Sequence, residues 1–362
     1  MPSQIRNLTR RSVLAGMAAA AAARAAEPLK LNRKVRVAIV GLDGHPTEIT
    51  KPLNDIPELE IVAITAADRA QIDRFIRNKP RLAHVKPYDD YRRMLDAEKP
   101  DVAAICNDNG ARAGAILDAV SRKLNVIAEK PLALSRADLS KVKKAVDGSG
   151  IKLGMLLPMR YEPAYQALKK IVDSGEIGEV IQISAQKSYQ LGNREEWYKH
   201  RETYGSTILW IGIHMFDLMT WTSGRRFTEA ASFMGRVGFP NAGDMETTTV
   251  TAFRMDNGGA ATLHMDYCLP GSAPSHGDDR LRLAGTKGVA EYLAATGVTL
   301  GTATKKPHRV EPLPPDGSVF RDYLAHVYAG AAATLTVPEI YMNCDITVAA
   351  HEAAVKGQIV KI

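Results

Sequence analysis

Short apolar, β-branched runs recur through the first part of the chain, at Val35 to Val40, Ile61 to Thr65, Val102 to Cys106, Val126 to Glu129 and Lys152 to Leu156. Runs without polar alternation are the pattern of strands buried on both faces. Between them, residues 111–122 and 137–146 place their apolar side chains at helical spacing. The second stretch is preceded by Ser135 with Asp138 three residues on, and Gly148 stops it. Strand and helix in strict alternation predict an α/β domain built on a parallel, doubly wound sheet over residues 34–158. After Pro158 longer alternating strands take over: Ile181 to Tyr189, Thr247 to Arg254, Ala260 to Tyr267 and Arg280 to Leu283, with Asn257-Gly258-Gly259 as a hairpin turn. Residues 159–362 therefore read as an α+β domain with a large, mostly antiparallel open sheet. Helices are expected over Pro163 to Ser174 and Asp345 to Lys356, the latter ending at Gly357.

The amino terminus has another texture. Arg6, Arg10, Arg11 and Arg24 stand there without an acid, around an apolar run from Ser12 to Ala23 that ends in the small-residue site Ala23-Arg24-Ala25. Residues 1–25 read as an export signal. The adjacent arginines of Thr9-Arg-Arg-Ser-Val-Leu14 and the alanine-rich run favour the twin-arginine route, which makes that export machinery a partner and the destination periplasmic or secreted. A membrane anchor would need a longer apolar run, and the first 33 residues are set apart from the fold. Removing the four signal arginines takes the formal net charge from +7 for the 362 residues to +3. No basic stripe with interleaved aromatics remains, so neither nucleic acid nor a membrane surface is expected as a partner. Cys106, Cys268 and Cys344 are scattered, lack metal-ligand spacing and are expected to be buried free thiols.

The first strand ends in Val40-Gly41-Leu42-Asp43-Gly44-His45-Pro46, where a dinucleotide-binding domain places its phosphate turn. Glycines let such a turn bend tightly, and the amides at the following helix start can face a pyrophosphate. Only Gly41 is in register with G-x-G-x-x-G; Asp43 and Pro46 replace the other two glycines, and Gly44 falls one residue late. The acid expected about twenty residues on, to accept the ribose hydroxyls, has Asp68 as its nearest candidate. Arg69 beside it suits a 2′-phosphate, so NAD and NADP both stay open, and a plain helix start in solvent accounts for the pair equally.

Asn125-Val-Ile-Ala-Glu129-Lys130-Pro131 resembles the E-K-P signature of the Gfo/Idh/MocA (glucose-fructose oxidoreductase / inositol dehydrogenase) family. Met159-Arg160-Tyr161-Glu162-Pro163, Gly175-Glu-Ile-Gly178-Glu-Val and Gly212-Ile-His214-Met-Phe-Asp217 follow in the family's order. The resemblance runs from Val35 to the carboxyl end. It implies a Rossmann-like first domain binding NAD or NADP, tightly held, through Gly41, Gly44, Asp68, Asn107, Glu129 and Lys130. It makes Lys130, His214 and Asp217 the catalytic candidates, and Arg160, Tyr161 and Trp210 candidates for contact with a sugar or polyol. Chemistry agrees in part: a lysine at a strand's carboxyl end can hydrogen-bond a hydroxyl being oxidised, and a neutral imidazole suits proton acceptance near pH 7. Asp217, a helical turn after His214, is placed to orient its ring.

One departure is Trp210, four residues before His214, where many family members carry an aspartate. An indole cannot relay a proton. Trp210 is read as a stacking surface for a sugar ring, with Tyr161, Tyr189 or Asp217 as alternatives for the missing group. The segment from Asn193 to Glu202 mixes aromatics with both charge signs, as carbohydrate sites do and as a solvated loop also can.

Three readings follow. One is an exported redox enzyme on a sugar or polyol that keeps and regenerates its cofactor, because free dinucleotide is scarce outside the cytoplasm. Another is a hydrolase or lyase that oxidises its glycoside transiently. The third is a non-catalytic sugar-binding relative. The open sheet of the second domain is suited to a homodimer or tetramer.

Overall fold

A computed structural model describes residues 29–362; the signal at residues 1–25 lies outside the described residues. The first domain runs β1 (Val35–Val40), α1 (Pro46–Thr50), β2 (Leu59–Thr65), α2 (Arg69–Ile76), β3 (Lys86–Tyr88), α3 (Tyr91–Glu98), β4 (Val102–Ile105), α4 (Asn109–Ser121), β5 (Asn125–Ala128), α5 (Arg136–Asp147) and β6 (Leu153–Met155). Its sheet has the order β3-β2-β1-β4-β5-β6 with every pairing parallel. The order reverses between β1 and β4, and in such sheets ligands bind outside the carboxyl ends at that switch point. Ser135 caps α5 by accepting from the Asp138 amide, as its sequence predicts.

The second domain follows as α6 (Pro163–Asp173), β7 (Val180–Tyr189), α7 (Arg201–Tyr204), α8 (Ile213–Ser223), β8 (Phe227–Gly235), β9 (Thr248–Met255), β10 (Ala260–Asp266), β11 (Gly277–Gly285), β12 (Gly288–Leu293), β13 (Gly297–Thr302), β14 (His308–Arg309), α9 (Val319–Ala329), α10 (Val337–Lys356) and β15 (Val360–Lys361). These strands form one nine-stranded sheet, order β14-β13-β12-β11-β7-β10-β9-β8-β15, antiparallel except where β7 and β10 run parallel. One face carries the core: β9 alternates exposed and buried along its whole length, and Phe253 packs between Phe216 of α8 and Phe227 of β8.

Three outcomes depart from expectation. α10 begins at Val337, eight residues before the expected start, because Thr336 and Glu339 form a capping box around a first-turn proline. In addition, α9 crosses back to the first domain, where Phe320 and Tyr323 join the core of Val37, Ile39 and Ile127. Cys106 and Cys344 are buried free thiols, but Cys268 is exposed, since β10 has ended two residues before it. Among the described residues no helix is long and apolar enough to cross a membrane, and no group of three or more histidine, cysteine or acidic side chains could hold a metal ion.

Candidate active site

Three segments meet at the carboxyl ends of β1, β4 and β5. Gly41, at φ +80°, follows β1; an added Cβ there would lie 2.5 Å from the Asn107 Cα. At Gly44 it would lie 2.6 Å from the Glu129 Cγ. Both glycines thus let the β1 loop pass against the loops after β4 and β5. The fully buried Arg112 of α4 ties those two loops together, donating to the carbonyls of Lys130 (2.9 Å), Pro131 (3.1 Å) and Asn107. Sequence reasoning passed over Arg112, which stands at no motif position.

The expected amide cradle does not form. Asp43 and Gly44 donate their N–H groups to the Cys106 carbonyl at 2.9 and 3.2 Å, and His45 donates its own to Glu129. Asp43 is partly buried; burial, with Asp108 and Glu195 nearby, raises its carboxyl to about 6 and so weakens the charge that would oppose a phosphate. Asp68 is an exposed helix cap, accepting from the Gln71 amide at 2.7 Å, and Arg69 pairs with Asp73. The pair thus forms the start of α2, with Asp68 as its cap. The buried Asn107 Oδ1 has no partner in the structure. Beside the close glycine crossing, this atom is the free acceptor that a dinucleotide would meet at this edge.

Lys130 is buried, and its Nζ donates to the Trp210 carbonyl at 3.1 Å while lying 3.0 Å from the centroid of the indole ring. Burial pushes its ammonium well below the ordinary range; Arg112 and Lys187 push the same way, and Glu129 opposes them. Trp210 lies in a π-helical turn, Ile208–Gly212, that leads into α8. His214 follows a turn later; its Nδ1 is buried without a partner, and burial, Lys130 and Lys187 push its proton affinity well down. Around the indole stand Trp197 (centroids 5.2 Å apart, edge-on), Tyr198 (5.9 Å) and His45 (5.8 Å, planes 18° apart). The 193–202 segment thus supplies a wall of the site through its aromatics.

Three expected site residues are placed elsewhere. Asp217 does not orient His214: both its oxygens accept from Arg160, at 2.7 Å each. Arg160 is spent on Asp217, on Glu339 at 2.9 Å and on the Thr334 carbonyl, so its guanidinium has no fork left for a substrate. Tyr161 points to Asp322 of α9, donating at 3.0 Å. Arg160 braces α8, through Asp217, against α10, through Glu339. Tyr189 stacks on His276, with centroids 5.1 Å apart, and faces Lys187, which pairs with Asp279 at 2.6 Å.

A parallel doubly wound sheet with its switch-point loops so arranged, beside an antiparallel substrate domain, defines a nicotinamide-dependent oxidoreductase. Residues 35–156 match the "Oxidoreductase family, NAD-binding Rossmann fold" and residues 165–291 the "GFO/IDH/MocA C-terminal domain". The chain belongs to the Gfo/Idh/MocA family. It is similar to a Thermotoga maritima structure assigned as an oxidoreductase, at 31% identity and a TM-score of 0.86, covering 91% of this chain and all of that one. An uncharacterized oxidoreductase of Bacillus subtilis is 25% identical over 289 residues, 77% of this chain and 81% of its own. An inositol 2-dehydrogenase of Salmonella typhimurium is 28% identical over 222 residues, 59% and 60% of the two chains.

Proposed function

We propose that the protein is exported by the twin-arginine route with its nicotinamide cofactor already bound, and that it oxidises one hydroxyl of a sugar, polyol or sugar derivative. The observation that carries the chemical part is the buried Lys130 amine lying against Trp210 at the carboxyl end of β5, with His214 a helical turn farther along the same wall. When bound, the nicotinamide supplies the two-electron acceptor. Lys130 holds the hydroxyl oxygen and stabilises its developing negative charge. His214 orients that oxygen from the other domain, while Trp210, Trp197 and Tyr198 offer apolar ring faces to the carbohydrate and exclude water. The similarity to an inositol dehydrogenase supports a cyclic polyol. Phe233 and Val250, an exposed cross-strand pair on the open sheet face, support association of two or four copies there.

The test is to purify the exported protein, record its nicotinamide absorbance and supply a set of polyols. Cofactor that copurifies and is reduced on polyol addition is expected. Cofactor-free protein that works only with added NAD refutes retention, and cofactor-loaded protein inert to every polyol refutes the oxidation. Arg10→Lys with Arg11→Lys is expected to leave the protein in the cytoplasm.

A further inference from the structure

Two imidazoles meet at the indole of Trp210, and their surroundings differ. His214 is buried beside the cations Lys130 and Lys187, with nothing behind its Nδ1. His45 comes from the β1 loop of the other domain, with its ring stacked on Trp210 and edge-on to His214 at a centroid distance of 6.0 Å. Its Nδ1 lies 2.7 Å from Glu129 Oε1, and its side chain is 41% exposed while that of Glu129 is fully buried. Burial alone would raise the Glu129 carboxyl, but His45, Lys130 and Arg112 hold it at about 2, so it is ionised throughout the working range. Glu48 is the other acid acting on this imidazole.

A carboxylate bonded to one ring nitrogen fixes the tautomer and leaves Nε2 free to accept. His214 has no such support. The proton released by oxidation must also reach water from a site whose lysine is buried, and His45 is the half-exposed ring at that boundary.

We propose that His45, backed by Glu129, is the base that accepts the substrate hydroxyl's proton and passes it to solvent. This rests on the oxidation reading above. The balance is simple: the carbinol C–H bond breaks with its electron pair leaving to the nicotinamide, the O–H bond breaks with its proton going to His45 Nε2 directly or through one water, and a carbonyl forms. His45 then loses that proton to bulk water. The sequence hid this pair, because the phosphate-turn pattern leaves position 45 unspecified and Glu129 lies 84 residues away.

The experiment follows reduction of the bound cofactor in the exported, cofactor-loaded protein with myo-inositol and D-glucose as probes, kcat being its saturating rate and KM the half-saturating probe concentration. NADH fluorescence of protein stripped of cofactor follows cofactor affinity. His45→Ala is expected to lower kcat by about 100-fold or more, with KM and NADH affinity within threefold, and added imidazole is expected to restore much of the rate. His45→Gln fills the space and is expected to be equally slow without rescue. Glu129→Gln, of equal size, gives a second reading should His45→Ala fail to fold: a loss of tenfold or more is expected. His214→Gln is expected to raise KM more than it lowers kcat. His45→Ala at the wild-type rate, or a loss that imidazole does not restore and that tracks a tenfold weaker NADH affinity, overturns the proposal alone. So does Glu129→Gln at the wild-type rate. A wild type that binds NADH and oxidises neither probe nor any other polyol overturns the oxidation reading first, and this one with it.

Discussion

Asp217→Asn separates a bracing role from a catalytic one. The Asp217 and Arg160 side chains are 2% and 1% exposed and joined by two bonds of 2.7 Å. Removing one partner of such a pair leaves a buried charge and costs about 3–5 kcal/mol. Glu339 still faces Arg160 at 2.9 Å and can carry part of its charge, which puts the expected loss at the lower end, about 3 kcal/mol. At about 2–4 °C per kcal/mol for a large domain, the melting temperature falls by roughly 6–12 °C. Calorimetry on the cofactor-loaded protein measures that fall, and turnover of the surviving folded fraction, assayed well below the transition, is expected within about threefold of wild type because neither carboxylate oxygen faces His214. An unchanged melting temperature with turnover lowered a hundredfold would refute the bracing argument and return Asp217 to the chemistry.

Gly41→Ala puts a methyl group 2.5 Å from the Asn107 backbone at a positive φ, so a loss of about 2–4 kcal/mol is expected by thermal melting, together with weaker NADH binding. Arg112→Lys keeps the charge but cannot reach three carbonyls at once; NADH fluorescence is expected to give at least tenfold weaker binding, with the second domain's near-ultraviolet signal unchanged. Glu129, held at about 2 against an ordinary 4.5, contributes stability that is complete above pH 4.5 and is lost as pH falls from there toward 2. The contribution is on the order of 3 kcal/mol, and Glu129→Gln is expected to flatten the acid limb of the stability profile over that window.

The first sheet was legible because its strands are apolar on both faces and its helices carry their caps in sequence: β1 falls on its predicted residues, and the Ser135 cap is where the spacing puts it. The E-K-P loop was legible for a related reason, since one short run holds the strand end, Glu129 and Lys130 together. What local pattern could not carry was partner choice. Asp217 does lie one turn from His214, yet Arg160, from a different element, offers a bidentate fork that an imidazole cannot match. His45 and Arg112 stand at positions whose importance comes only from loops brought close by the glycines, so no periodicity marks them. The late α9 was not among the helices read from sequence, and its return to the first core is a tertiary fact.

The bond from the Lys130 amine to the Trp210 carbonyl joins two domains across the space a hydroxyl has to enter. The nitrogen carries more than one N–H, so this bond fixes the amine in place while another donor is left for an arriving alcohol. Selectivity at that atom accrues as negative charge builds on the alcohol oxygen, a charge the fixed amide carbonyl never acquires.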